Sequence, residues 1–311
     1  MGYYSGANAN VVKTALDSVF FTEFDYETQP GIATALTDGV FMQDSVDRAA
    51  VITEQLSGVG YWEERGEQEN LVNATPSSTN TKTFNVLNYA KQLPVSKNMF
   101  DDDQHSTVSR LVTDLARKGR LTRDKNAFEV YNNAFTTTLA NDSVAMFSNS
   151  HTTIDGDTVD NLLTAALSRT AIELAIKMLL EQKTQDNTLG GHNPACLIVP
   201  PALFPDAIEL TMSELQPDTA NNAVNYLSKI YPGLKVYNSP FLGTAHGGSD
   251  TAWFLMSNNH SLSRWERQGI LTDLIDYKYS PVNEYIYKAE YREVVGPISW
   301  EGGVGSTGAG A

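Results

Sequence analysis

Apolar residues recur at helical spacing over residues 11–20, after the candidate N-cap residues Asn8 and Asn10. This pattern predicts a short amphipathic helix close to the N-terminus. Over residues 25–38 the helical period gives way to glycine, proline and small polar residues. A segment of this kind buries little of its own surface, so we expect an extended arm whose apolar partners lie elsewhere.

A polar stretch without a helical period follows over residues 56–98. Residues 73–82 are almost entirely polar, and Phe84 and Val86 then alternate with polar residues. Such alternation is typical of strands and predicts a long two-stranded hairpin. A polar hairpin of this length buries little of itself, so we expect it to be mobile alone or held by a neighbouring subunit.

A long helix is predicted to follow Asp101, Asp102 and Asp103, which place negative charge at its start, and to run past Phe128. Gly119 interrupts this helix at a cost of about 1 kcal/mol relative to alanine. The residues around the glycine form a basic stretch: Arg117, Lys118, Arg120, Arg123 and Lys125. A solvated face explains such a stretch, and the acidic N-terminal arm of the same or a neighbouring subunit is an alternative partner.

Helices and strands alternate in the second half of the chain. Thr170 and Glu173 have the spacing of a capping box at the start of a helix. Residues 196–199 read as a buried strand that Pro200 ends, and residues 203–212 read as a further helix. Two more strands are predicted at residues 234–237 and 253–256.

Tyrosines repeat with period two near the C-terminus, which predicts antiparallel strands. These tyrosines are Tyr277, Tyr279, Tyr285, Tyr287 and Tyr291. Residues 306–311 are rich in glycine and carry no large side chain. We therefore expect this last stretch to be disordered.

The charge balance of the chain is strongly acidic. Its 311 residues include 37 acidic and 22 basic ones, a formal net charge of −15, and the first 70 residues hold 12 acidic against 3 basic side chains. Free nucleic acid is an unfavourable ligand for such a surface, because binding depends on neutralising phosphates with Lys and Arg. The hydrophobic fraction of 41% is enough for one large or two moderate soluble domains.

Cys196 is the only cysteine, so an internal disulfide is excluded and a reducing compartment is expected. Its apolar neighbours favour an inert buried thiol over a nucleophile. No apolar run is long enough to cross a bilayer, and the N-terminus has neither a signal peptide nor a myristoylation signal. Synthesis in the cytoplasm is the resulting expectation.

One group of residues could bind a metal: His151, Asp155 and Asp157 lie within seven positions. They lack the order of an EF-hand and the second histidine of a helical zinc motif, so a polar turn is the favoured interpretation. The sequence also lacks a nucleophile elbow and a phosphate-binding loop. We expect no catalytic residue, no cofactor and no metal site; a metal-dependent hydrolase using these three residues is the enzymatic alternative.

Several short strings recur in a fixed order over residues 147–153, 161–163, 167–168, 197–203, 234–237, 253–256 and 265–268. In this order they resemble major capsid proteins of the Mu head-subunit type, which belong to the Hong Kong 97-like capsid family of tailed bacteriophages. Their order and spacing carry the resemblance, which covers roughly residues 100–300. The first hundred residues match in architecture only.

The resemblance implies an α+β capsid fold in which the long helix, at about residues 103–138, is the spine of a peripheral domain. Carried over by position, its parts are an N-terminal arm (1–55), an extended loop (56–98), the peripheral domain (99–159 and 263–301), an axial α/β domain (160–262) and a flexible C-terminal tail (302–311). Because the family's long charged N-terminal region is missing here, a separate scaffolding protein or a processed start is implied.

The implied function is a major capsid protein that self-assembles, as pentamers and hexamers, into an icosahedral shell enclosing double-stranded DNA. The implied partners are copies of itself, a scaffolding protein, a portal and decoration proteins, with no membrane, in a virion assembled in the host cytoplasm. A cellular, encapsulin-like nanocompartment shell is the alternative with the same fold. Lys82 and Lys91 lie in or near the extended loop, and we expect ordinary exposed salt bridges there rather than an isopeptide cross-link.

Overall fold

The computed structural model describes residues 7–25, 30–67, 70–71, 73–74, 76–102, 106–215 and 224–309. Within these ranges the α-helices are α1 (Ala7–Phe24), α2 (Lys97–Asp101), α3 (Thr107–Asn132), α4 (Arg169–Leu180), α5 (Phe204–Met212) and α6 (Tyr226–Ile230). The strands there are β1 (Met42–Ser45), β2 (Ala50–Leu56), β3 (Ser78–Asn85), β4 (Leu87–Ser96), β5 (His151–Thr152), β6 (Thr158–Val159), β7 (Leu162–Leu163), β8 (Pro194–Val199), β9 (Lys235–Asn238), β10 (Trp253–Ser257), β11 (Leu262–Ile275), β12 (Glu284–Pro297) and β13 (Gly303–Ser306). None of the helices in these ranges combines the length and the apolar content that a membrane crossing requires.

A five-stranded sheet in the order β7-β13-β10-β8-β9 forms one half of the fold. β8 is an apolar run because both of its faces are covered. Leu197 and Val199 pack towards α4 and α5, whereas Cys196 and Ile198 face the core shared with α3. The predictions of strands at 196–199, 234–237 and 253–256, and of a helix at 203–212, are confirmed by β8, β9, β10 and α5.

The prediction of a flexible tail over 302–311 is wrong for residues 303–306. These residues form β13, an interior strand that lies between β7 and β10, and Val304 and Ser306 are fully buried. A glycine is required here, since a Cβ on Gly305 would lie 2.6 Å from the Phe147 ring. The lack of large side chains therefore reflects close packing. Residues 310–311 lie outside the described residues.

A four-stranded sheet in the order β1-β11-β12-β4 forms the other half, and α1 and α3 pack against it through an apolar core. Its strand β12 contains Tyr285, Tyr287 and Tyr291, which confirms a strand at these positions. Tyr277 and Tyr279 instead lie in a short 3-10 helix, so the predicted strand is wrong there. The chain reverses between β11 and β12 at this point, and the Asp276 side chain caps the turn by accepting from the Lys278 N–H.

The predicted hairpin exists, with different bounds. β2 pairs with β3 in antiparallel register from Ala50↔Asn85 to Leu56↔Ser78. β4 leaves the hairpin and pairs with β12 in the four-stranded sheet. The predicted span 56–98 is therefore wrong at both ends, because an alternating pattern marks a strand without identifying its partner.

The helix bounds also differ from the predictions. α3 covers 107–132 instead of 103–138, and residues 103–105, including Asp103, lie outside the described residues. Ser168 caps α4 by accepting from the Ala171 N–H at 3.2 Å, so the predicted capping box at Thr170 and Glu173 is wrong. Both of these residues lie within the helix, where Glu173 pairs with Arg169 at 2.8 Å. The Ser168 hydroxyl, two residues before Thr170, satisfies a free N–H group at the helix start as well as a threonine hydroxyl would.

The N-terminal arm packs against its own chain. α1 begins at Ala7, so Asn8 and Asn10 lie inside it rather than before it. Beyond residues 26–29, which lie outside the described residues, Ala33 donates its N–H to the Asn238 carbonyl at 2.7 Å. Ala35 is fully buried. The expectation that this segment finds its apolar partners elsewhere is confirmed for residues 30–38, and the partners are α3 and β9 of the same chain.

Candidate assembly surfaces

The three residues of the metal-site alternative do not meet. His151 is fully buried, with Nδ1 2.6 Å from Asp142 Oδ2. Asp157 pairs with Lys183 at 3.0 Å near the surface, and Asp155 is exposed. Within the described residues no group of three His, Cys, Asp or Glu side chains could hold a metal ion. This arrangement corresponds to a polar turn with a hydrogen-bonded histidine.

The Cys196 thiol lies in the core beneath the arm. Its Sγ is 3.0 Å from the Gly39 carbonyl oxygen. Burial raises the pKa of Cys196 to about 12. The thiol therefore stays protonated at neutral pH, where the nucleophilic thiolate is required for catalysis.

The hairpin is attached to the fold by buried polar side chains at its base. Thr53 Oγ1 donates to Asn141 Oδ1 at 3.2 Å, and Gln55 Nε2 donates to Ser299 Oγ at 3.1 Å. Both hairpin residues are less than a tenth exposed. Buried hydrogen bonds of this kind are costly to break, so the direction in which the hairpin leaves the fold is fixed.

Lys82 belongs to the same base and is not the exposed ion pair that was predicted. Its ammonium donates to the Leu139 carbonyl and lies 4.8 Å from the centre of the Phe84 ring. Burial lowers the pKa of Lys82. The lysine is thus a packing element of the hairpin base. Lys91 is exposed on β4.

The far part of the hairpin, described over residues 58–67, 70–71, 73–74 and 76–77 and here termed the loop tip, is exposed. Its first residues are held: Gly60 N–H donates to Asp186 Oδ2 and Leu189 N–H donates to Tyr61 Oη, each at 3.0 Å. Beyond them Trp62 is 96% exposed. A tryptophan that contacts almost nothing in its own chain is expected to be covered by a partner, because burying an aromatic side chain is strongly favourable.

α1 is joined to the rest of the fold by two acidic side chains. Asp17 Oδ1 accepts from Tyr287 Oη at 2.7 Å and from Thr272 Oγ1 at 2.8 Å. Glu23 Oε1 pairs with Arg117 Nε at 3.0 Å. The alternative partner for the basic stretch of α3, the acidic arm, is therefore confirmed at this one pair, and the contact lies within one subunit.

Exposed apolar side chains also occur away from the loop tip. Large ones more than half exposed on other elements include Ile52, Leu87, Leu189, Ile230, Tyr279 and Val282. Their wide distribution over both halves of the molecule is unlike a single small-ligand pocket. This chemistry suits broad contacts between proteins.

Comparison with protein families gives a match over most of the chain. Residues 79–305 match the family described as "Phage capsid protein". The chain belongs to the phage capsid protein family. No curated protein matches the sequence of this capsid protein.

Solved structures show the same fold at very low sequence identity. The capsid protein is similar to the capsid of cyanophage P-SCSP1u, with a TM-score of 0.59, 9% identity and coverage of 92% of this chain and 91% of the other. For the virus-like particle from Pyrococcus furiosus the TM-score is 0.55 and the identity is 8%, with coverage of 95% of this chain and 99% of the other. For the procapsid of bacteriophage JBD30 the TM-score is 0.52 and the identity is 13%, with coverage of 98% of this chain and 76% of the other.

The fold and the family together confirm an α+β capsid fold of the Hong Kong 97-like type and the function of a major capsid protein of a tailed phage. The capsid protein is a subunit of an icosahedral shell, and neither the nanocompartment nor the hydrolase is favoured. Sequence reasoning did not single out Trp62. The available signal was the aromatic pair Tyr61 and Trp62 beside Glu63 and Glu64, in a loop that contains glycines. This loop has no helix or strand pattern that would bury an apolar side chain in a core.

Proposed function

We propose that this capsid protein acts only as a structural subunit. Its exposed loop tip and the surface that carries the N-terminal arm join copies of it into pentamers and hexamers. The observation that carries the proposal is Trp62, which is 96% exposed at the end of a hairpin whose base is fixed by buried hydrogen bonds. The fixed base limits the backbone entropy that is lost when the loop docks, so burial of the exposed tryptophan favours association.

The division of labour follows the proposed domains. The proposed parts are the N-terminal arm, which ends where the hairpin begins at residue 50, the extended loop at about 50–85, the peripheral domain (99–159 and 263–301) and the axial domain (160–262). Each of them is assigned to shell contacts. A Mu-type head subunit remains the proposed subgroup.

The proposed partners are a scaffolding protein during assembly, a portal and decoration proteins, in a virion assembled in the host cytoplasm around double-stranded DNA. The net charge of −15 supports a shell wall that does not adhere to the packaged genome. Shells with many acid-to-neutral substitutions should retain DNA more tightly and package it less well; packaging equal to the parent would contradict this role for the charge.

Electron microscopy of the purified protein, with and without the products of neighbouring genes, tests the proposal. We expect closed shells of uniform size, or rings of five and six. Trp62→Ala should reduce assembly while leaving the circular dichroism spectrum unchanged, and Ile154→Ala, which truncates a half-exposed side chain on another element, should assemble like the parent. A monodisperse monomer under every condition would overturn the proposal.

A further inference from the structure

The face of α3 that packs on the four-stranded sheet changes from apolar to polar along the helix. In its first half this face carries buried apolar residues: Val108, Val112 and Ala116. In its second half Asn126, Glu129 and Asn133 follow one another at intervals of three and four residues, which places them on one face. A helix face that packs on a sheet is normally apolar, so this polar stripe requires an explanation.

A cavity of about 250 Å³ lies where the polar stripe meets the sheet. Its lining combines residues of α3, of the segment that follows α3, and of β4 and β12. Six of the lining residues carry side-chain oxygens: Tyr89, Asn126, Glu129, Asn133, Thr138 and Glu293. Two of the six are carboxylates, and none of the described lining residues is Lys, Arg or His. Carboxylate, amide and hydroxyl oxygens are the ligands that hard divalent cations prefer.

Glu293 supplies an independent indication of a ligand. It is 2% exposed, and its Oε2 accepts from Arg264 Nε at 2.8 Å. Its other oxygen, Oε1, has no hydrogen-bond partner among the described residues. An unpartnered oxygen on a buried carboxylate is costly, and buried polar groups are nearly always satisfied. A positively charged or hydrogen-bond-donating occupant of the cavity is therefore expected.

The two carboxylates approach the same hydroxyl group. Burial raises the pKa of Tyr89, and the negative charges of Glu293 and Glu129 raise this pKa further. Because Coulomb energies fall with distance, both carboxylates lie near the Tyr89 hydroxyl, one on β12 and the other on α3. Arg264 and Arg123 offset part of the charge of Glu293, but neither arginine lines the cavity. Negative charge thus predominates in the lining itself.

A second cavity, of about 300 Å³, has the opposite character. Tyr89 lines this cavity as well, together with apolar residues such as Phe20 and Leu115. Lys91 and Lys118 also belong to its lining. Two ammonium groups repel a cation, so the chemistry that suits a divalent ion is confined to the first cavity.

We propose that the cavity between the second half of α3 and strands β4 and β12 binds one calcium ion. Glu129 and Glu293 are the charged ligands, and Asn126, Asn133 and Thr138 provide neutral oxygens. Calcium accepts about 6–8 oxygens in a flexible geometry, whereas magnesium requires a near-ideal octahedron, so this mixed set favours calcium. The volume also leaves room for water ligands, since each water takes about 30 Å³.

The site has only two carboxylates, so it differs from metal sites built from three or more His, Cys, Asp or Glu side chains. Its ligands come from three elements and a connecting segment, which explains why no local sequence motif marks it. A bound ion would join the polar half of α3 to the sheet. This role concerns the single subunit and goes beyond shell formation.

Calcium titration of the full-length, unassembled protein by isothermal titration calorimetry tests the proposal. We expect one calcium ion per chain. Glu129→Gln removes one charged ligand from an exposed position, and it should weaken binding by at least about 10-fold, a loss seen even for residues that only support a metal ligand. Asp114→Asn removes the same charge from an exposed position of α3 outside the cavity, and it should bind like the parent.

A gain of affinity provides a second test, because a damaged fold cannot produce one. Asn133→Asp adds a third carboxylate to the lining and should tighten calcium binding by about 10-fold, since affinity depends on the number of charged ligands. Thr137→Asp adds the same charge at an exposed position outside the lining and should leave the affinity unchanged.

Absence of calcium binding by the parent protein, or equal affinities of the parent and Glu129→Gln, would overturn the site. Equal weakening by Asp114→Asn would also overturn it, because the ions would then be attracted diffusely to an acidic surface. The same holds if Asn133→Asp and Thr137→Asp have equal effects. The shell function is tested separately by electron microscopy, so these outcomes leave it unaffected.

Discussion

His151 Nδ1 lies 2.6 Å from Asp142 Oδ2, and the exposed fraction of the two side chains is 0% and 6%. The imidazole also stacks on the Trp300 ring, with 5.0 Å between ring centroids. Asp142 follows Asn141, which holds the hairpin at Thr53. The pair therefore supports the residues from which the hairpin projects.

His151→Ala should lower the free energy of unfolding of the unassembled subunit by about 2–4 kcal/mol, because it leaves the Asp142 carboxylate buried without its partner and removes the ring on Trp300. Urea denaturation measures the change. Asp155→Ala, in the same turn but exposed, should stay within about 0.5 kcal/mol of the parent. Equal effects of the two substitutions would contradict a structural role for His151.

Asp186 should make the subunit sensitive to acid. Partial burial alone would raise the pKa of Asp186, but hydrogen bonds from Thr184, Thr188 and the Gly60 N–H outweigh this and lower it from 3.8 to about 2. A depressed folded-state pKa stabilises the protein above the unfolded-state pKa, and this stabilisation is lost as the pH falls from about 4 to about 2.

Asp186→Asn should therefore lower the free energy of unfolding by about 1 kcal/mol at neutral pH, allowing for solvent screening. The gap between variant and parent should close by pH 2. Denaturation curves between pH 7 and pH 2 measure it, with Asp155→Asn as the matched exposed control. A gap that stays constant with pH would rule out this titration.

Gly119→Ala should raise the free energy of unfolding by about 1 kcal/mol, because alanine favours the helix interior. A Cβ at this position would meet Phe24 Cε2 at 3.6 Å, an ordinary contact. Gly305→Ala is the opposite control, since its Cβ would clash with Phe147, and it should destabilise the protein. Thermal denaturation of both variants measures the contrast; a destabilised Gly119→Ala would show that α1 cannot accept the methyl group.

Asp17→Ala should loosen α1. It leaves the hydroxyl of Tyr287 without its carboxylate partner, and Tyr287 is 1% exposed, so a cost of about 1–3 kcal/mol is expected. Glu23→Ala should cost less than about 1 kcal/mol, because the Arg117 side chain is half exposed. Hydrogen exchange of α1 amides reports the difference, and similar protection in the two variants would show that Asp17 does not anchor the helix.

The sequence patterns predict the elements of this fold better than their partners. The apolar run around Cys196 and the alternation of Tyr285, Tyr287 and Tyr291 identify strands because local periodicity follows burial. The same alternation in β4 resembles a hairpin strand although β4 pairs with β12, some 200 residues away in sequence. Strand pairing depends on such distant contacts, which local patterns do not contain.

The surfaces were harder to predict than the fold. Trp62 is one of four tryptophans, and composition alone does not distinguish it from Trp253, Trp265 and Trp300, which are buried. The contact of Glu23 with Arg117 could be anticipated, because charge runs of opposite sign are visible in the sequence. The cavities that Tyr89 lines between α3 and β4 could not be predicted, because they arise from a gap between a helix and a strand that pack only in the folded chain.

The position of β13 has a consequence for the timing of biosynthesis. β7 and β10 both pair with β13. Residues 162–163 are therefore synthesised about 140 positions before their partner strand. At ordinary elongation rates this separation is a delay of about 7–28 s. Until then the apolar side chains of β8 and β10 lack part of their sheet. A nascent subunit is therefore exposed to aggregation or chaperone capture until residue 306 has emerged, and it can enter a growing shell only after that point.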